Sequence, residues 1–259
     1  MKKNPGISQP TIQGEGQPFV WLHGMLNSVE SDSIYSLIDL CQLSKLVSLV
    51  RFDACNKSDI GNYTWDAMAD ELISMADSQK YYTMILGGSS MGAGTAIHCA
   101  VKFPDRVKAL ILVTPPPAWE MRSGVKAIYE KIAAKARQDA IPEILKRVIQ
   151  RNQDPPDFFE QIHPGTRQLL LDHRLGFKPQ YYSSIYLGGA VSDLPTREQI
   201  SNINVPCLIV SLPDDENHPV KMAQELNNLI KDSELVIVTD YESYQKLQMK
   251  IRDFIKLLE

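Results

Sequence analysis

Six short apolar runs constrain the architecture more than any other feature of this chain: PFVWLHG (18–24), SLVRFD (48–53), YTMILGG (82–88), VKALILVT (107–114), PCLIVSL (206–212) and ELVIVT (234–239). They are hydrophobic throughout rather than at every second residue, which is the pattern of strands buried on both faces. Between them lie helical stretches. In TWDAMADELISMADSQ (64–79), Trp65, Met68, Ala69, Leu72, Ile73 and Ala76 recur at helical spacing, and Thr64 is placed to cap the first turn. A second helix runs from about Met91 to Phe103, PVKMAQELNNLI (219–230) is a third, and YQKLQMKIRDFIKLLE (244–259) ends the chain with Leu247, Ile251, Phe254, Ile255 and Leu258 on one face. Strands alternating with helices, joined by right-handed crossovers, predict an α/β fold with a doubly wound, mostly parallel sheet.

The alternation breaks once. Pro115, Pro116 and Pro117 stop the fourth run, and from 118 to 204 the strand signals nearly vanish. In their place come the helical stretches GVKAIYEKIAAKARQ, PEILKRVIQRN and PPDFFEQI. The expected organisation is a core of 1–117 and 205–259 with a helical insert, 118–204. Such an insert would lie over the carboxyl ends of the strands, where open α/β sheets bind ligands.

Charge and cysteine usage narrow the class further. The net charge is −4 with no long basic run, so nucleic-acid binding has no electrostatic footprint. No apolar run of about 18 residues exists to span a membrane. MKKNPGISQP has two lysines but no apolar stretch after them, and does not read as a signal peptide. Cys41, Cys55, Cys99 and Cys207 form no Cys-x-x-Cys pair, and Cys99 and Cys207 sit in apolar segments. No disulfide, metal or cofactor is expected, and a cytoplasmic location is.

GGSSMGAG (87–94) lies where a strand meets a helix. Gly-x-Ser-x-Gly fits it in one register, centred on Ser90, with Gly88 and Gly92 flanking. A strand turning sharply into a helix strains its corner residue and leaves no room for side chains two positions away. The corner hydroxyl is then exposed as a nucleophile, and the helix N-terminus, with the Met91 N–H, faces the substrate oxygen. The loop after the first run, His23-Gly24-Met25, offers a second oxyanion donor at Met25, with Gly24 against the substrate. His23 reads as a structural residue of that turn.

These segments resemble the α/β-hydrolase superfamily. GEGQPFVWLHGM is similar to its first strand and oxyanion loop, LGGSSMGAGTAIHCAVKFPDRVKALILVTPPPAWE to its elbow, helix and following strand, and CLIVSLPDDENHPV to its acid-bearing loop. Aligned on Pro219, the resemblance implies Asp215 as the catalytic acid beside Ser90, a helical cap over 118–204, and a small-molecule substrate. Trp119, at the start of the cap, is a candidate substrate contact. The run Asp53-Ala-Cys-Asn-Lys-Ser58 lacks the arginine and glycines common at that place in the family.

The resemblance also implies a histidine after the last strand, and there the chain reads Thr239-Asp240-Tyr241-Glu242-Ser243. His23 belongs to the oxyanion turn, and His98 lies about 12 Å beyond Ser90 along its helix. His163 and His173 fall in the insert, and His218 follows the acid loop in a position where the family needs no catalytic group. Asp240 and Glu242 suit a helix N-terminus better than a base. The triad thus reads as incomplete. Two functions stay open: a hydrolase of a small carboxylic ester, lactone or thioester with weak or unusual activity, or a non-catalytic protein binding a small apolar ligand or a partner. For the second, Trp119, Phe158, Phe159, Phe177, Tyr181, Tyr182 and Tyr186 could line a pocket, or fill the core of the insert. The oligomeric state cannot be read.

Overall fold

The computed structural model describes residues 9–54, 63–136, 143, 147 and 155–258. Cys55–Ser58 and, apart from Glu143 and Arg147, the helical stretch predicted at 142–152 lie outside the described residues, as does most of MKKNPGISQP. Seven strands form one sheet: β1 (Thr11–Gln13), β2 (Pro18–Leu22), β3 (Ser48–Arg51), β4 (Met84–Ser89), β5 (Val107–Val113), β6 (Cys207–Ser211) and β7 (Ser233–Ile237), in the order β1-β3-β2-β4-β5-β6-β7. β1 runs antiparallel to β3, and every other pair is parallel. The six predicted runs are β2 to β7. β1 carried no apolar signal because it is an exposed edge strand of three residues, Thr-Ile-Gln.

Successive strand residues point to opposite faces, and both faces are covered. Phe19, Trp21, Leu49, Ile85, Ile111 and Val210 pack under Leu37–Val47 and against Leu247, Ile251 and Ile255 of the terminal helix Tyr241–Lys256. Val20, Leu22, Val50, Leu86, Leu110 and Ile209 pack on the other side, against the helices Trp65–Ser78, Met91–Lys102 and Val220–Leu229. Double burial is why these strands show no hydrophobic alternation. All six apolar residues predicted for the helix at 65–78 are buried, and Thr64 Oγ1 accepts the Ala67 N–H. Cys99 and Cys207 are buried, which pushes both thiols up, Cys99 to about 12; Cys41 is exposed.

Between β5 and β6 the described residues form helices only, at Arg122–Ala136, Asp157–Ile162, Thr166–Leu175, Pro179–Val191 and Arg197–Ser201, after a short turn at Trp119–Met121. Tyr181, Tyr182 and Tyr186 are buried in the same apolar cluster as the helix Met91–Lys102, and Tyr129 meets Tyr186 edge-on at 5.2 Å. Phe159 packs with Tyr35 and Leu170, and Phe158 lies 6.2 Å from Tyr244 on the terminal helix. These rings serve mainly as core of the insert and its seat.

The strand order reverses around β2, whose neighbours are β3 on one side and β4 on the other. The carboxyl ends of β2 and β4 therefore flank the crevice where ligands bind in open α/β sheets.

Candidate active site

β4 ends at Ser89, the next helix begins at Met91, and Ser90 is the corner between them, with φ 52° and ψ −111°. A non-glycine residue there costs on the order of 1–3 kcal/mol and must be held by its surroundings. The flanking glycines show how tight the corner is. A Cβ on Gly88 would lie 2.4 Å from the Gly92 carbonyl carbon, and one on Gly92 would lie 2.0 Å from the Leu22 carbonyl oxygen. The elbow helix thus sits directly on β2. Met91 is the first residue of that helix, so its N–H has no intrahelical acceptor.

The loop after β2 lies beside the elbow: a Cβ on Gly24 would come 3.4 Å from the Ser89 carbonyl oxygen. Gly24 to Asn27 form a turn closed by Asn27 N–H on Gly24 O (3.2 Å), with Leu26 at φ 61°. His23 is buried, as a structural residue should be. Its Nε2 accepts the Ala54 N–H at 3.1 Å, so its proton is on Nδ1 and is donated to Gly24 O at 2.8 Å. In a trans peptide the C=O and N–H point in opposite directions. Two donors hold Gly24 O inside the turn, so the Met25 N–H points out of it.

An imidazole does reach the serine. His218 Nε2 lies 2.7 Å from Ser90 Oγ, and His218 Nδ1 lies 2.6 Å from Asp215 Oδ2. The other oxygen, Asp215 Oδ1, accepts the backbone N–H groups of Asn217 (2.9 Å) and His218 (3.2 Å). The Nδ1 proton goes to the carboxylate, which leaves the Nε2 lone pair free to accept the serine O–H. Burial pushes the Asp215 carboxyl up. The His218 hydrogen bond and charge and the two backbone N–H groups outweigh it and hold the carboxyl below its usual range. The expectation that no histidine meets Ser90, and that His218 has no part in the site, is corrected by this geometry. Acid and imidazole sit in the one loop after β6. The sequence shows them three residues apart, Asp215-x-x-His218, and that spacing alone does not say that the two meet.

The loop after β7 carries no such group. Asp240 caps the terminal helix, accepting the Ser243 N–H at 2.8 Å while Ser243 Oγ takes the Asp240 N–H, and Glu242 pairs with Lys246 at 2.6 Å. The capping N–H of Ser243 holds the Asp240 carboxyl below its ordinary value, helped by the Ser243 and Thr239 hydroxyls. A group with a lowered folded pKa stabilises above its unfolded pKa and loses that contribution as pH falls through the folded one. Asp240→Ala should therefore lower the melting temperature at neutral pH, and the deficit should shrink on acidification. Turnover should not change, and a drop in turnover would give Asp240 a chemical role.

The other imidazoles are engaged elsewhere. His98 binds Asp193 O at 2.7 Å, His173 binds Ser28 Oγ at 2.9 Å, and exposed His163 lies 4.7 Å from the Phe159 ring. Trp119 stands at the start of the insert. Its N–H and Nε1–H go to Asp193 Oδ1 and Pro195 O, and its ring lies 4.1 Å from the Arg197 guanidinium. Arg197 also holds the Glu120 carboxyl down to about 2. These contacts tie the start of the insert to its end, and none of them is to the elbow. Among the described residues, no group of three or more His, Cys, Asp or Glu could hold a metal ion, and no helix is long and apolar enough to cross a membrane.

No family model matches the chain. It is 29% identical to the AB hydrolase superfamily protein YisY of Bacillus subtilis, over 93% of this chain and 92% of that one. It is 24% identical to the pimeloyl-[acyl-carrier protein] methyl ester esterase of Vibrio vulnificus, over 88% and 87% of the two. Among solved structures, the enol-lactonase from Burkholderia xenovorans superposes with a TM-score of 0.80 at 19% identity, covering 96% of each chain.

Proposed function

We propose that the chain is a serine hydrolase of the α/β-hydrolase superfamily, one that opens a carboxylic ester or lactone through an acyl-enzyme on Ser90. The hydrogen-bonded chain Ser90–His218–Asp215 carries this reading. The relatives named as a methyl ester esterase and an enol-lactonase support the substrate class.

Ser90 Oγ attacks the substrate carbonyl carbon while His218 Nε2 takes its proton. The oxyanion that forms is met by the N–H groups of Met91 and Met25. His218 then returns the proton to the leaving alkoxide as the carbon–oxygen bond breaks. Water attacks the acyl-enzyme in the second half, again giving its proton to His218, and Ser90 is released. Asp215 stays ionised throughout and stabilises the imidazolium. The described helices between β5 and β6 serve as a cap over this site.

A fluorophosphonate probe should label the wild-type protein on Ser90, and Ser90→Ala should abolish both labelling and turnover of p-nitrophenyl acetate. A wild-type protein that neither labels nor hydrolyses any of a panel of activated esters and lactones would end this reading.

A further inference from the structure

The turn that carries the Met25 N–H is gripped from outside the sheet. Arg174, on the insert helix Thr166–Leu175, is buried and donates from Nη2 to Asn27 Oδ1 at 2.9 Å. The Asn27 side chain also donates to Asp32 Oδ1 at 3.5 Å, and Asp32 Oδ2 accepts the Trp21 indole N–H from β2 at 2.6 Å. The preceding residue of the same helix, His173, bonds Ser28 Oγ at 2.9 Å and has Glu30 3.7 Å from its Nδ1, with the Phe177 ring 5.1 Å away.

Ser28, His173 and Glu30 imitate a catalytic triad, but the oxygen is already spoken for. Ser28 Oγ caps a helix by accepting the N–H groups of Glu30 and Ser31, each at 3.1 Å. Both lone pairs are engaged, so its proton goes to His173 Nε2. The hydroxyl is a fastening point rather than a nucleophile.

Adjacent residues of one insert helix therefore hold adjacent residues of the oxyanion loop, Arg174 on Asn27 and His173 on Ser28. Asn27 closes the turn through Gly24 O, and Gly24 O fixes the direction of the Met25 N–H. Leu26 sits at φ 61°, a backbone conformation that a leucine holds only under constraint. We infer that the insert helix Thr166–Leu175 sets the oxyanion turn, with Arg174 and His173 as positioning residues for the Met25 N–H. The inference rests on the proposed serine-hydrolase reading and adds the part played by the insert: seating this helix completes the site.

Displacement of an aligned group by about 1 Å can cost on the order of 10²-fold in rate. Arg174→Gln and His173→Gln should each lower kcat on p-nitrophenyl acetate by about tenfold to a hundredfold, with KM within about threefold. Affinity for a trifluoromethyl ketone, which forms a tetrahedral adduct with Ser90, should fall by the same factor. The acid limb of the kcat/KM profile should stay where it is, because Asp215 and His218 are untouched. Arg174→Lys should recover part of the loss. Asn27→Ala removes the contact from the turn side, and adding it to Arg174→Gln should cost no more than either alone. Should Arg174→Gln fail to fold, Asn27→Ala and Arg174→Lys make the same comparison. Full kcat in folded variants, or a fall in kcat with unchanged ketone affinity, would overturn the inference while the hydrolase reading stands. A wild-type protein without Ser90-dependent turnover would remove both.

Discussion

Replacing His218 by alanine is expected to lower kcat for an activated ester by about 10⁶-fold, leaving roughly 10³–10⁴-fold over the uncatalysed rate. A serine hydroxyl is a poor nucleophile until a neighbour takes its proton, and His218 Nε2 is 2.7 Å away. The four remaining imidazoles have other partners: His23 is fixed between Gly24 O and the Ala54 N–H, His98 on Asp193 O, His173 on Ser28 Oγ, and His163 beside Phe159. In the proposed mechanism the residual rate comes from the N–H groups of Met91 and Met25, which the substitution does not touch. Ser90 and His218 act as one unit, so Ser90→Ala, His218→Ala and the double variant should be nearly equally slow. Steady-state rates on p-nitrophenyl acetate, with unfolding curves to confirm the fold, test this directly. A loss of less than tenfold would place the base elsewhere.

The elbow was legible in the sequence because steric exclusion leaves a mark on residue choice. Gly88 and Gly92 stand where a Cβ would strike backbone, and no flexible side chain nearby could give way. The strands were legible for a similar reason, since burial on both faces demands continuous hydrophobicity. His218 left no such mark. Whether a histidine three residues after an aspartate meets it depends on the turn between them, here held by Asp215 Oδ1 on two backbone N–H groups. The resemblance pointed to the loop after β7, and the loop there is occupied by a helix cap, Asp240 with Ser243. The aromatic residues of the insert were ambiguous in principle, because a ring that lines a pocket and a ring that fills a core look alike in sequence. Buried Tyr181, Tyr182 and Tyr186 chose the core.

Asp215→Asn should cost about 10⁴-fold in kcat at neutral pH with little change in structure. The asparagine keeps an oxygen for the N–H groups of Asn217 and His218, so the turn keeps its shape. Where Asp215 Oδ2 accepted the His218 Nδ1 proton at 2.6 Å, the amide NH₂ now donates. Nδ1 must become the acceptor, the ring proton moves to Nε2, and that nitrogen now donates to Ser90 Oγ instead of drawing its proton away. The loss arises from the wrong tautomer, so KM should change far less than kcat. Acid and base share one short loop, so Asp215→Ala should do something the asparagine does not. Without Asp215 Oδ1 to hold the N–H groups of Asn217 and His218, the loop itself loosens and the imidazole loses its aim as well as its tautomer. A melting temperature lower for Asp215→Ala than for Asp215→Asn, with both at least about a thousandfold slow, would confirm that one carboxylate serves both tasks. Equal stability of the two variants would mean that the turn is held without it.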